Sequence, residues 1–175
     1  PVDGRAVAVP SQDMILGSYY LTMDKAGEPG EGKVFRDFDE AMMAYDEGDI
    51  GLHVDIRIRM SKEVNGETVT KLVTTTLGKI IFNGPVPQDL GFVDRTNPEN
   101  MFRLEVEGLV NKKLLGKVIA KCIQVHGTAK TAEVLDNVKN QGYRYSTRSG
   151  ITVAVCDATI PASKKDILAE TEAQV

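Results

Sequence analysis

Gly27, Gly32 and Lys33 stand at the spacing of a phosphate-cradling loop, in which glycine amides hold a phosphate and the lysine reaches its outer oxygens. The match fails at the next residue, where Val34 replaces the Ser or Thr hydroxyl that would ligate magnesium. The residues before Gly27 also read as helix and loop, where that motif needs a buried strand. A connector between elements accounts for these glycines. The run Asp37-Phe38-Asp39-Glu40 offers clustered carboxylates of the kind that hold magnesium in nucleotidyl transfer. Acids are equally favoured at a helix N-terminus by the dipole alone, and no neighbouring glycine lets a backbone approach them. His53 and His126 each lack a second His or Cys at ligand spacing, which argues against zinc. Cys122 falls on an apolar helical stripe and Cys156 in an apolar run, surroundings that disfavour thiolate. No G-x-S-x-G, serine-lysine pair or dinucleotide fingerprint is present. Read alone, these residues contain no complete catalytic constellation.

The elements that must position them follow from periodicity and breakers. After Pro10, Ser11 is a candidate N-cap, Asp13 suits the positive helix end, and Ile15, Leu16, Tyr19 and Tyr20 recur at helical spacing, predicting a helix over 12–22. DKAGEPGEG is a loop, and Asp37 or Asp39 can cap a short helix that Gly48 ends. Leu52, Val54, Ile56, Ile58 and Met60 alternate with His53, Asp55, Arg57 and Arg59, predicting a strand with His53 on its wet face. Asn65-Gly66 favours a tight hairpin turn, and 68–76 should return as the partner strand. A short helix over 78–83 precedes a loop imposed by Pro85 and Pro87. Asn111 caps a helix striped by Leu114, Leu115, Val118, Ile119, Cys122 and Ile123 that Gly127 closes. A second helix from Thr128, with Gly142 past its end, should pack antiparallel to it. ITVAVCD then reads as a strand covered on both sides, and Pro161 suits the first turn of a terminal helix.

The fold class expected is α+β: mixed helices with a small antiparallel sheet. At 175 residues, 42% hydrophobic and 26% charged, the chain has the size and composition of one globular unit that buries about 70% of its unfolded surface. No apolar run reaches the roughly 18 residues of a membrane span. Two cysteines, both in apolar segments, exclude a disulfide scaffold and fit a reduced, cytoplasmic setting. A formal charge of -4 offers no broad attraction to phosphate backbones, so any nucleic-acid contact must be local. The chain starts without Met and stops inside a helical pattern, and is expected to be a piece of something longer.

Two stretches carry a resemblance. VAVPSQDMILGSYYLT (7–22) and YRYSTRSGITVAVCDATIP (143–161) resemble paired blocks of the largest catalytic subunit of multi-subunit RNA polymerases, the bacterial beta-prime family. TTTLGKIIFNGPVP and LDNVKNQGYRYSTRSG resemble its intervening sequence in the same order, and QDLGFVDRTNPENMF is similar to the clostridial version. The resemblance covers nearly the whole chain. It implies that residues 1–160 build the pore domain beside the secondary channel, and that 161–175 open a funnel, or rim, helix within a larger multi-domain subunit.

By the same resemblance, the aspartates that hold magnesium lie upstream of Pro1, so Asp37 and Asp39 are not catalytic and the isolated chain is inactive. Mg2+ and Zn2+ belong to the whole subunit, with no cofactor in this segment. The implied partners are the other polymerase subunits, the DNA template, the RNA 3′ end, incoming nucleotides and transcript-cleavage factors. Gln12, Asp13, Arg148, Ser149 and Asp157 are the residues it places near the channel wall. Structural roles stand beside that reading: Asp13 serving helix amides, Arg148 pairing an internal carboxylate, Asp157 capping a turn. The chain departs from the family pattern at Cys156-Asp157-Ala158, where relatives carry a second glycine and an Asp pair. Two other readings compete, a stand-alone module docking a partner through the 111–141 helix pair, and a small NTPase on Gly27 to Lys33.

Overall fold

The computed structural model describes residues 6, 8–64 and 67–174. Element α1 (Asp13–Thr22) is followed by a two-residue β1 (Val34–Phe35) and α2 (Phe38–Asp46). A long hairpin, β2 (Asp55–Val64) and β3 (Glu67–Thr76), leads directly into α3 (Leu77–Asn83). An irregular stretch runs to Asn111, then α4 (Lys112–Ser149), and α5 (Lys164–Gln174) lies beyond a loop. The expected α+β class holds. The sheet has order β1-β2-β3, with β2 and β3 antiparallel and β1 parallel to β2 at Val34↔Arg57 and Phe35↔Ile58. The expected Asn65-Gly66 turn lies outside the described residues, although Val64 pairs with Glu67 on either side of it.

Ile56 and Ile58 on β2 point into one core with Phe35, Leu77 and Phe82, onto which α4 lays Leu115, Val118, Cys122, Val134 and Val138. Side chains cap three helices, at Asp37 and Asn111 as expected and also at Thr76. Asp37 accepts from Glu40 N, Thr76 from Lys79 N and Asn111 from Leu114 N, each satisfying an orphan amide of a first turn. Ser11 does not cap α1: Gln12 takes the cap position at φ 48 with no side-chain bond, and Ser11 contributes only its carbonyl, to Met14 N.

Glycine is used differently at two places in α4. Gly127, at φ 76 and ψ -177, breaks the helix where expected, and both arms feed the same core. Gly142 does not end it. The helix continues to Ser149 and stops at Gly150 in the left-handed region, φ 58. Gly142 instead lets α1 approach: a Cβ there would sit 2.5 Å from the Met14 carbonyl oxygen, and one on Gly17 would sit 1.8 Å from that of Gly142.

Two strand expectations are corrected. β2 begins at Asp55, so His53 is not on a wet face: Leu52, His53 and Val54 are all buried in the bend before it. ITVAVCD forms no strand. Every residue from Gly150 to Gln174 is exposed, Val155 at 94%, and only a short 3-10 turn at Val155–Asp157 interrupts the segment. β-branched residues favour a pleated surface, but a strand also needs a neighbour to pair with, and no described residue offers one here. Cys156 is therefore exposed. Pro161 precedes α5, its carbonyl accepting from Lys164 N.

Candidate functional site

The five residues singled out for the channel wall lie at element ends. Gln12 and Asp13 are exposed at the start of α1. Arg148 and Ser149 close α4, beyond the point where Gly142 meets α1. Asp157 sits in the exposed turn, its Oδ2 accepting from Ala154 N at 2.8 Å, the turn-capping role. Arg148 pairs no carboxylate among the described residues. Its guanidinium lies 5.9 Å from the Tyr45 ring centre and 6.0 Å from that of Tyr145, within cation–π range. Ser149 Oγ donates back to Ser146 O at 2.7 Å. No hydrogen bond or ion pair among the described residues joins any two of the five.

The sequence-level decoys resolve by geometry. Asp37 Oδ1 accepts from Glu40 N and Oδ2 from Arg36 Nε at 2.8 Å, while Glu40 accepts from Arg36 N. The bond from the Glu40 amide, and then Arg36, hold the Asp37 carboxyl below its ordinary range. These acids are committed to a helix start. Among the described residues, no group of three or more His, Cys, Asp or Glu is placed to hold a metal, so the carboxylates here do not fit the magnesium the polymerase resemblance implies for the whole subunit. Lys33 lies 3.7 Å from Asp49 Oδ2, and Gly27, Gly30 and Gly32 all hold positive φ in a shaped turn. His126 Nε2 meets Asp89 Oδ1 at 2.6 Å.

Two buried polar clusters escaped the sequence reading. In the first, His53 bridges Glu28 and the Tyr20 carbonyl. In the second, the Glu105 carboxylate, wholly buried, accepts from Phe92 N at 2.6 Å and Arg95 Nη2 at 3.1 Å, while Arg95 Nη1 donates to the carbonyls of Asn100, Met101 and Arg103. Asn83 extends this network, exchanging bonds with both backbone groups of Val106. Lys62, from the hairpin, donates to Met101 O at 2.7 Å; burial first, then Arg95, lowers its ammonium from the ordinary value. These partners lie 5 to 39 residues apart with no periodicity, so no sequence signal marks them. Their bonds are mostly to backbone, which is the work of shaping loops.

Residues 1–158 match the family described as RNA polymerase Rpb1, domain 3. The chain belongs to this family. Over all 175 residues it is 54% identical to the DNA-directed RNA polymerase subunit beta' of Clostridium novyi, 51% to that of Caldicellulosiruptor saccharolyticus and 53% to that of Acetivibrio thermocellus. It spans 15% of the length of each of these curated relatives. An Rpb1 domain 3 chain is thus one segment's worth of a much longer polypeptide in those organisms. Among the described residues no helix is long and apolar enough to cross a membrane.

Proposed function

We propose that this chain serves in transcription as scaffold and channel wall of a DNA-directed RNA polymerase, a nucleotidyltransferase whose magnesium-holding carboxylates lie outside it. In this reading residues 1–160 form the pore, or secondary-channel, domain and 161–175 open a funnel helix. Its partners are the other polymerase subunits, and through them the DNA template, the RNA 3′ end, incoming nucleotides and transcript-cleavage factors. The observation that carries the reading is the contrast between a closed core and the segment 150–174. That segment exposes Ile151, Val153, Val155, Ile160, Ile167 and Leu168, apolar surface suited to burial by the rest of a large assembly. Gln12, Asp13, Arg148, Ser149 and Asp157 are the proposed channel-wall residues, with Arg148 steered by Tyr45 and Tyr145. The partner-docking alternative loses its surface, because the apolar stripe of 111–141 is spent on the chain's own core.

The test uses a polymerase whose largest subunit carries this sequence, stalled in a backtracked complex with a photoreactive nucleotide at the RNA 3′ end. Crosslinks to peptides within Arg148–Asp157 are expected. Efficient crosslinking elsewhere in the enzyme, with those peptides unlabelled, overturns the proposal.

A further inference from the structure

His53 is 5% exposed, and each of its ring nitrogens faces an atom that can only accept. Nδ1 lies 3.2 Å from Glu28 Oε1, and Nε2 lies 2.8 Å from the Tyr20 carbonyl oxygen. A neutral imidazole has one N–H and one lone pair, so it satisfies one of these oxygens and turns its lone pair on the other. An imidazolium donates to both. The alternative, a protonated Glu28 donating to the ring, runs against the carboxyl's surroundings. Partial burial pushes Glu28 up, but the hydrogen bond and charge of His53 and the bond from Lys25 outweigh it and hold the group below its ordinary range.

We propose that His53 is a proton-dependent latch: as imidazolium it bolts the 24–33 loop to the end of α1 and the entry of β2, and loss of its proton frees the loop. The loop depends on this one residue at several points. Lys25 N donates to the His53 carbonyl at 3.0 Å, so backbone and ring hold the same turn. Glu28 is seated over bare backbone, since a Cβ on Gly51 would lie 2.0 Å from its Oε2. Downstream, Gly51 N donates to Pro29 O and Gly32 N to Asp55 O, which carries the anchorage to the sheet. The titratable groups around the ring are few. Lys25 lies 3.3 Å from Glu28, and the Asp24–Lys79 pair ties the loop's start to α3. The Tyr20 ring meets the imidazole edge-on at 4.6 Å, with Tyr45 from α2 near it. Burial, then Tyr45 and Glu28, hold the Tyr20 phenol above its ordinary value, so it stays neutral.

In acid the other half of the latch fails. Glu28 is held low when folded, so its stabilisation is complete above the ordinary carboxylate value of about 4.3 and is lost as pH falls through the lower folded one.

Hydrogen–deuterium exchange on the assembled polymerase tests the latch from about pH 5.5 to about pH 8.5, corrected for intrinsic exchange, with peptides spanning 24–33 and a control within α4. Protection of 24–33 should fall about tenfold across that range, the worth of one well-made hydrogen bond to a charged group, while the control stays level. His53→Gln should give low protection with no pH dependence, and Glu28→Gln should lower protection at the acid end of the range. A flat wild-type profile overturns the latch whatever the variants do; so does a pH response that survives His53→Gln, or unchanged protection in Glu28→Gln.

Discussion

Two irregular stretches of this chain meet opposite fates. Residues 84–111 run between α3 and α4 with only a 3-10 turn at Pro98–Asn100, yet Leu90, Val93, Phe102, Val106 and Val110 are buried along them. Residues 150–163 run between α4 and α5 with a similar turn at Val155–Asp157, and every one is exposed. Apolar content does not separate them, since the second stretch is rich in Ile and Val. The difference is polar. Backbone groups without a ladder partner must find side chains, and in the first stretch Asn83, Gln88, Arg95 and Glu105 supply them. Thr22 adds another, its hydroxyl accepting from Val110 N at 2.9 Å. In the second, Asp157 caps one turn and Ser149 reaches Ile151 N at 3.4 Å. A long loop becomes part of a fold when buried side chains stand in for the missing strand, and apolar surface without them stays exposed.

The comparison breaks most completely at Glu105. Glu105→Ala removes a wholly buried carboxylate and leaves the Phe92 amide and one edge of the part-buried Arg95 guanidinium without their acceptor, and should cost about 2–3 kcal/mol, the upper range for a hydrogen bond to a charged group. Chemical denaturation of the chain, followed by circular dichroism, measures it. A loss within 1 kcal/mol, or about that, would mean the loop is held by apolar burial alone.

Asn83→Ala comes next. It removes the amide that pairs with both backbone groups of Val106 and accepts from Gln88, leaving buried N–H and C=O groups unmet, and about 2 kcal/mol is expected in the same assay. Asn83→Asp sharpens the point: it keeps the acceptor for Val106 N but sets a buried carboxylate against the carbonyls of Val106 and Lys79, so it should cost at least as much as alanine.

Legibility in the sequence follows the range of the interaction. Asp37, Thr76 and Asn111 cap their helices through bonds three residues long, and local pattern is enough to find Asp37 and Asn111. Period-2 alternation located the hairpin and period 3.6 the α4 stripe, because burial on one face imposes that spacing. Gly142 misled, since a glycine chosen for a helix crossing looks the same as one chosen for a cap until α1 is in place. His53 misleads because alternation runs three residues N-terminal to the true strand start, into a bend where all three side chains are buried. Glu28 and His53 are 25 residues apart, and only the folded loop joins them. The strand expected at 151–157 fails for a different reason: its propensity is real and its partner is not among the described residues. The proposed channel-wall residues came wholly from the polymerase resemblance, and nothing in their own chemistry would have selected them.

The smallest effect completes the comparison. Val153 and Val155 are 85% and 94% exposed, so Val153→Ser and Val155→Ser remove almost no buried area from the chain itself. Each should change the stability of the chain alone by under about 0.5 kcal/mol, as exposed substitutions do. Within an assembled polymerase the same serines should matter more, because burying a valine side chain is worth about 1.5 kcal/mol or above that is forfeited, and the hydroxyl must also be desolvated. The two measurements, denaturation of the chain alone and thermal stability of the enzyme with and without the substitutions, bear on the same residues. Equal and negligible effects in both would show that 151–155 stays solvated in the assembly, and would remove the observation on which the proposed function chiefly rests.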